Sequence, residues 1–237
     1  MTERSGAVLL PPSRWWVDAP APSGVGLAIG RWVTRMLARR WDVQVFGREN
    51  VPLSGPVILA SNHMAMLDGP VMMGVSPRGF HALVKVEVFV GPERHFFGAT
   101  GQIPVDRKTV DRAAVRSALA VLSAGRALAI YPEGRRGLGD LANVKHGVGY
   151  LALCTGAPVV PVACLGTRAG TVDTRIVPVK GQRMAIGFGE PLSFGTMEWP
   201  RTREAVSSAT ARITDALRAN LAGLRERTGI ELPPDLP

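Results

Sequence analysis

At 237 residues, 46% of them apolar, the chain can bury a full core as a single α/β domain and needs neither disulfides nor a structural metal to do so. A net charge of +9 and a pI near 10.7 imply an anionic partner: nucleic acid, a membrane surface or a phosphorylated substrate. Cys154 and Cys164 lie in apolar surroundings without C-x-x-C spacing, which argues against a zinc site or a disulfide framework and suits a reducing compartment.

In the first twenty residues Pro11, Pro12, Arg14 and Asp18 interrupt any apolar core, so no secretory leader is expected and the mature chain is read from near Met1. Residues 1–23 are rich in proline and small side chains and read as an arm, with Trp15 and Trp16 suited either to a lipid interface or to packing on the domain. From Gly24 the spacing turns helical. Ile29, Trp32, Val33, Met36, Leu37 and Trp41 follow i, i+3, i+4 steps, and Arg31, Arg35 and Arg39 make a stripe on another face. Such a basic amphipathic helix can lie in a membrane interface, with its arginines against anionic headgroups. Residues 1–41 are therefore assigned to an arm and membrane-facing helix, 42–226 to an α/β domain and 227–237 to a proline-rich tail.

Residues 42–47 alternate as a half-buried strand should, and Val57-Ile58-Leu59-Ala60 reads as a buried one. Asn62-His63 follows directly, with Asp68 five positions beyond His63. Five residues separate two side chains by roughly 140° on an ideal helix. The pair can meet if His63 lies in the strand-to-helix turn and Asp68 on the first turn of the helix, where the carboxylate would fix the tautomer of a histidine general base. Residues 81–86 form another strand, and 87–100 lack a clear period but carry Phe89, Val90, Phe96 and Phe97 as an apolar surface. A short strand in 101–108 leads to Arg107-Lys108, and a helix from 110 to 122 stops at Gly125.

The buried strand 127–131 runs into Pro132-Glu133-Gly134-Arg135-Arg136-Gly137, a tight turn presenting one carboxylate and two guanidiniums. A helix is expected over 144–153, then a strand over 158–163 whose Pro158 and Pro161 suggest a sheet edge or a strand end. The uncharged run 147–167 is long enough to cross a bilayer, but Gly156, Pro158 and Pro161 break it, so no transmembrane helix is expected. Residues 183–188 make a last strand. Its Gly187-Phe188-Gly189 lacks the third glycine and the helix of a dinucleotide site. Apolar residues from 205 to 224 repeat helically and close the fold. The predicted class is α/β: a mixed, largely parallel central sheet flanked by helices, with an N-terminal amphipathic helix.

Three strand ends thus carry polar groups: His63 with Asp68, Arg107 with Lys108, and Glu133 with Arg135 and Arg136. Converged, they supply a base, an anion clamp and a carboxylate, which describes acyl transfer to the hydroxyl of a phosphorylated acceptor. No G-x-S-x-G elbow is present and neither cysteine lies near the motifs, which counts against a covalent intermediate. A non-catalytic basic module binding membrane or nucleic acid would explain the charge, yet not why His63, Asp68 and Glu133 occupy strand ends.

These blocks resemble those of the 1-acylglycerol-3-phosphate acyltransferases, the lysophosphatidate acyltransferases of the wider glycerolipid group. Asn62-His63 with Asp68 is similar to their N-H-x-x-x-x-D block, 101–107 to their second block, Tyr131-Pro132-Glu133-Gly134 with Arg136 to F-P-E-G-T-R-S, and 158–161 to their apolar V-P block. Each alone is weak; their shared order and spacing carry the resemblance. It implies His63 as general base with Asp68 as its partner, and Arg107, Glu133, Gly134, Arg135, Arg136 and Lys145 as acceptor-binding residues. It further implies no bound cofactor or metal, an acyl donor that is acyl-CoA or acyl carrier protein, and an anionic lysophospholipid acceptor, lysophosphatidate giving phosphatidate. Membrane lipids, and no nucleic acid, are the expected partners, at the cytoplasmic face of the cell membrane. Arg135 replaces the usual threonine and Gly137 the usual serine, which opens the acceptor site to another anionic lysolipid.

Overall fold

A computed structural model of the chain describes residues 25–89, 93–108, 110–170 and 173–234. The arm with Trp15 and Trp16, Val90 and the end of the tail lie outside them. The first helix, α1, spans Val25–Ala38, so it ends before Trp41. That residue is buried and donates its indole N–H to the Pro178 carbonyl at 3.2 Å. The buried stripe of α1 is Gly30, Thr34 and Ala38, small because its neighbours come close: a Cβ on Gly30 would meet the Thr100 methyl at 2.6 Å. The large side chains of the amphipathic stripe point the other way, with Ile29 66% and Trp32 63% exposed.

The remaining helices and strands follow in the order β1 (Asp42–Phe46), β2 (Val57–Ser61), α2 (Asp68–Val75), β3 (Phe80–Lys85), α3 (Glu93–Ala99), β4 (Ile103–Val105), α4 (Arg112–Ser123), β5 (Ala127–Ile130), α5 (Gly147–Thr155), β6 (Val159–Leu165), β7 (Arg183–Phe188) and α6 (Arg203–Thr228). They build one seven-stranded sheet in the order β1-β7-β6-β2-β5-β3-β4. Every pairing is parallel except β6 with β7, which is the mixed, largely parallel α/β sheet expected. The middle strands β2, β5 and β6 are buried along their whole length, as continuous apolar runs covered on both faces must be. Ile58, Leu128 and Val159 pack toward α4, α5 and α6, while Leu59, Ala129 and Val160 face α2 and Trp41. Among the described residues no helix is long and apolar enough to cross a membrane.

Two expectations are corrected. β6 is an interior strand: Pro158 stands just before its first residue, at a strand end as one of the two readings had it, but Pro161 lies inside it, facing the β7 side, where its carbonyl accepts from Gly189 N at 2.8 Å just past the last residue of β7. α5 begins at Gly147 instead of residue 144, because Lys145 N donates to the Pro132 carbonyl at 2.8 Å, tying that stretch to the turn after β5. The region without a clear period, 87–100, contains α3 and the helical turn Val86–Phe89, where the ring centroids of Phe89 and Phe97 lie 5.7 Å apart.

Candidate active site

The C-terminal ends of β2 and β5 deliver the two turns that carry the motifs, the position at which open parallel sheets place their sites. Asn62 anchors the first turn. Its amide spans to β6, donating to the Cys164 carbonyl at 3.0 Å and accepting from Cys164 N at 2.8 Å. Asp68 opens α2 with a side chain fully out of contact with solvent. One oxygen accepts from His63 Nδ1 at 2.7 Å and from the backbone N–H groups of Met64 at 2.7 Å and Ala65 at 2.9 Å; the other accepts the Thr167 hydroxyl. Four donors satisfy a carboxylate whose burial would otherwise be costly.

His63 is held from every side. Its N–H donates to Glu133 Oε1 at 2.8 Å, its carbonyl accepts from Gly137 N at 3.0 Å, and its ring stacks on Tyr131 with centroids 4.1 Å apart. An ionised carboxylate only accepts, so the Nδ1 facing Asp68 carries the proton and Nε2 is left as the basic nitrogen on the far side of the ring. His63 borders a cavity of about 1370 Å³, large enough for a long-chain ligand. Its inner wall is apolar, with Met73, Phe80, Ala118 and Ile130 among its residues.

Cations collect at its polar end. Arg107, Arg135, Arg136, Lys145 and Arg175 all line it, as does Gly134. Arg107 donates to the Gly134 carbonyl at 3.0 Å. Gly134 adopts φ 69°, the left-handed region that suits glycine, and a Cβ there would lie 2.9 Å from Lys145 Cε. Burial holds the Arg136 guanidinium below its usual range; Asp68 opposes that shift, while Arg107 and Arg175 reinforce it. Glu133 departs from the rest. Its carboxylate is turned to the His63 amide, and burial pushes it up to about 7.

The sequence-derived residues His63, Arg107, Gly134, Arg135, Arg136 and Lys145 therefore converge on one cavity, and Asp68 and Glu133 stand behind it, touching His63. Thr167, Tyr131 and Arg175 gained no role from sequence reasoning. Thr167 follows a buried strand, a signal for a polar group at a strand end; Arg175 sits in a loop without any pattern. The two thiols are buried, and burial pushes both upward, away from the reactive thiolate form. Among the described residues no group of three or more His, Cys, Asp or Glu side chains converges to hold a metal ion.

The family model described as Acyltransferase matches residues 42–165. A 1-acyl-sn-glycerol-3-phosphate acyltransferase of Bacillus subtilis is 26% identical over 188 residues, 77% of this chain and 90% of that protein. The enzyme of the same name from Borreliella burgdorferi is 32% identical over 127 residues, covering 52% of this chain and 51% of that protein. Human 1-acyl-sn-glycerol-3-phosphate acyltransferase alpha is 33% identical over 125 residues, and the chain spans 44% of its length. The crystal structure of the 1-acyl-sn-glycerophosphate acyltransferase PlsC from Thermotoga maritima superposes with a TM-score of 0.58 over 80% of each chain at 24% identity, a likeness of fold.

Proposed function

The chain belongs to the Acyltransferase family, and we propose that it moves a fatty acyl group from an acyl thioester, of coenzyme A or acyl carrier protein, to the free hydroxyl of lysophosphatidate, releasing phosphatidate. Family membership sets aside the non-catalytic basic module. The observation that carries the reading is the position of His63: backed by Asp68 at 2.7 Å, it stands between an apolar cavity and a group of cations. The cavity suits acyl chains and the cations suit a phosphate.

In this mechanism Arg107, Arg136 and their neighbours hold the phosphate, with Arg135 in the place of a neutral residue. His63 Nε2 takes the proton of the acceptor hydroxyl as its oxygen bonds to the thioester carbonyl carbon. The C–S bond then breaks, and the imidazolium returns the proton to the departing thiolate, so no covalent enzyme intermediate forms. Asp68 keeps Nδ1 protonated and steadies the positive ring. Attachment is peripheral, at the cytoplasmic face of the membrane. The outward apolar face of α1 and the exposed Arg35 and Arg39 support this, whereas Arg31 of the same stripe is turned inward to the Ser76 carbonyl at 3.0 Å; the two free thiols suit a reducing compartment.

Purified protein supplied with acyl-CoA or acyl carrier protein and lysophosphatidate is expected to release free thiol and form phosphatidate, and His63→Ala to abolish both while remaining folded. No turnover with either donor would overturn the reading. Turnover only with another anionic lysolipid would move the acceptor, as Arg135 and Gly137 allow.

A further inference from the structure

Single exposed apolar side chains are ordinary; their clustering is informative. Among the described residues five of the exposed large ones lie on α1 and three, Ile176, Val177 and Val179, on the loop that leads into β7. Leu53, in the turn before β2, is the one at the opposite edge of the sheet. The loop is fixed in place. Thr174 O accepts from Met66 N at 2.9 Å, inside the turn between His63 and Asp68, and Arg40 O at the end of α1 accepts from Gly181 N at 2.8 Å. Pro178 is further held by Trp41.

The loop therefore runs from the segment just after α1 to the reaction turn, and Val177 borders the cavity. Its outermost side chains, Ile176 at 46% and Val179 at 74% exposure, are flanked by exposed Arg175 and Lys180. An apolar tip with cationic shoulders matches the boundary between acyl chains and anionic headgroups. We propose that this loop, at residues 176–179, is a second lipid-contact element that enters an anionic bilayer beside α1, so that the cavity mouth faces the lipid from which an acyl-bearing acceptor comes. The proposal rests on the membrane attachment read for α1 and adds an orientation to it: the C-terminal edge of the sheet down, the Leu53 edge away.

The test uses the full chain, whose two native cysteines are buried. Val179→Cys, Ile29→Cys and Leu53→Cys are each labelled with an environment-sensitive fluorophore and mixed with phosphatidylglycerol–phosphatidylcholine vesicles at low salt. The emission at positions 179 and 29 is expected to shift blue and that at 53 to stay unchanged. A shift at 29 without one at 179, or an equal shift at 53, overturns the proposal; so does a shift at 179 that depends on protein concentration and needs no vesicles, which would mark a second copy as the occupant. In a separate arm, the Ile176→Ser, Val179→Ser double variant should partition to these vesicles about tenfold more weakly or worse, while its turnover of a dispersed short-chain acceptor is unchanged. Undiminished partitioning also overturns it. Labelling and partitioning need no turnover, so they read independently of the acyl-transfer assay.

Discussion

The backbone N–H of His63 donates to the carboxylate of Glu133 at 2.8 Å, which joins the turn after β2 to the turn after β5. Burial raises the Glu133 carboxyl from 4.5 to about 7, and the charges of Asp140 and Asp68 add to the effect. Because the folded chain holds this proton more tightly than the unfolded one, the contribution of Glu133 to stability is largest below pH 4.5, falls as the pH rises toward 7, and is level above it. Glu133→Gln removes the titration and keeps an accepting oxygen. The stability of E133Q relative to the parent, measured by chemical denaturation, should therefore improve steadily between pH 5 and pH 7.5. A constant difference would show that Glu133 titrates as an ordinary carboxyl. Glu133→Ala leaves the His63 amide without its acceptor, which costs about 1–3 kcal/mol and should lower kcat more than it raises the acceptor KM.

The pairing of His63 with Asp68 was legible because a buried apolar strand, a short turn and a helix start are each local patterns, and together they leave one geometry in which side chains five apart meet. Parallel topology was legible from the alternation of buried strands with helices. Partners supplied by distant segments were not. Thr167 reaches Asp68 across 99 residues, and Arg175 belongs to a loop placed by bonds to Met66, Arg40 and Trp41, all distant in sequence. Pro161 was misleading for the same reason: which neighbour faces its nitrogen depends on where β7 stops. The role of Glu133 shows a further limit. The turn revealed that a carboxylate was there, and only the folded chain shows that it points at a backbone amide.

Asp68 separates orientation from acidity. Asp68→Asn keeps a side chain of the same size but can present an N–H to the ring, which disfavours the tautomer with Nε2 as base. The expected result is a loss of kcat of about 10²- to 10⁴-fold with a similar loss for His63→Ala. The double variant should lose little more than either alone, since the two act as one unit. Additive losses in a steady-state comparison would assign Asp68 a separate role.

Tyr131 divides into a ring and a hydroxyl. The ring stacks on His63, while the hydroxyl is buried with no hydrogen-bond partner among the described residues. Tyr131→Phe removes only the unsatisfied group and should leave stability equal or raise it by up to about 1 kcal/mol, with kcat retained. Tyr131→Leu loses the stack and should lower kcat. If Phe proved as damaging as Leu, the hydroxyl would have to contact the substrate.

The cations should rank by burial. Arg136 is half-buried, whereas Arg107, Arg135, Lys145 and Arg175 are exposed, and Arg175 already shares its guanidinium with Asp173 at 3.0 Å. Coulomb attraction to a phosphate strengthens as water is removed, and salt screens exposed charges most. Arg136→Gln should therefore raise the acceptor KM most, and the increase should persist when ionic strength goes from 0.05 to 0.5 M. Arg175→Gln should produce a smaller increase that largely disappears at the higher salt, where the Debye length falls to roughly 4 Å. Arg136→Lys keeps the charge but loses the two-pronged contact, so it should recover only part of the affinity. Acceptor KM measured for the three variants at both salt levels decides the order. An effect of Arg136→Gln that vanished in salt would place the phosphate at the exposed rim, nearer Arg107 and Arg175.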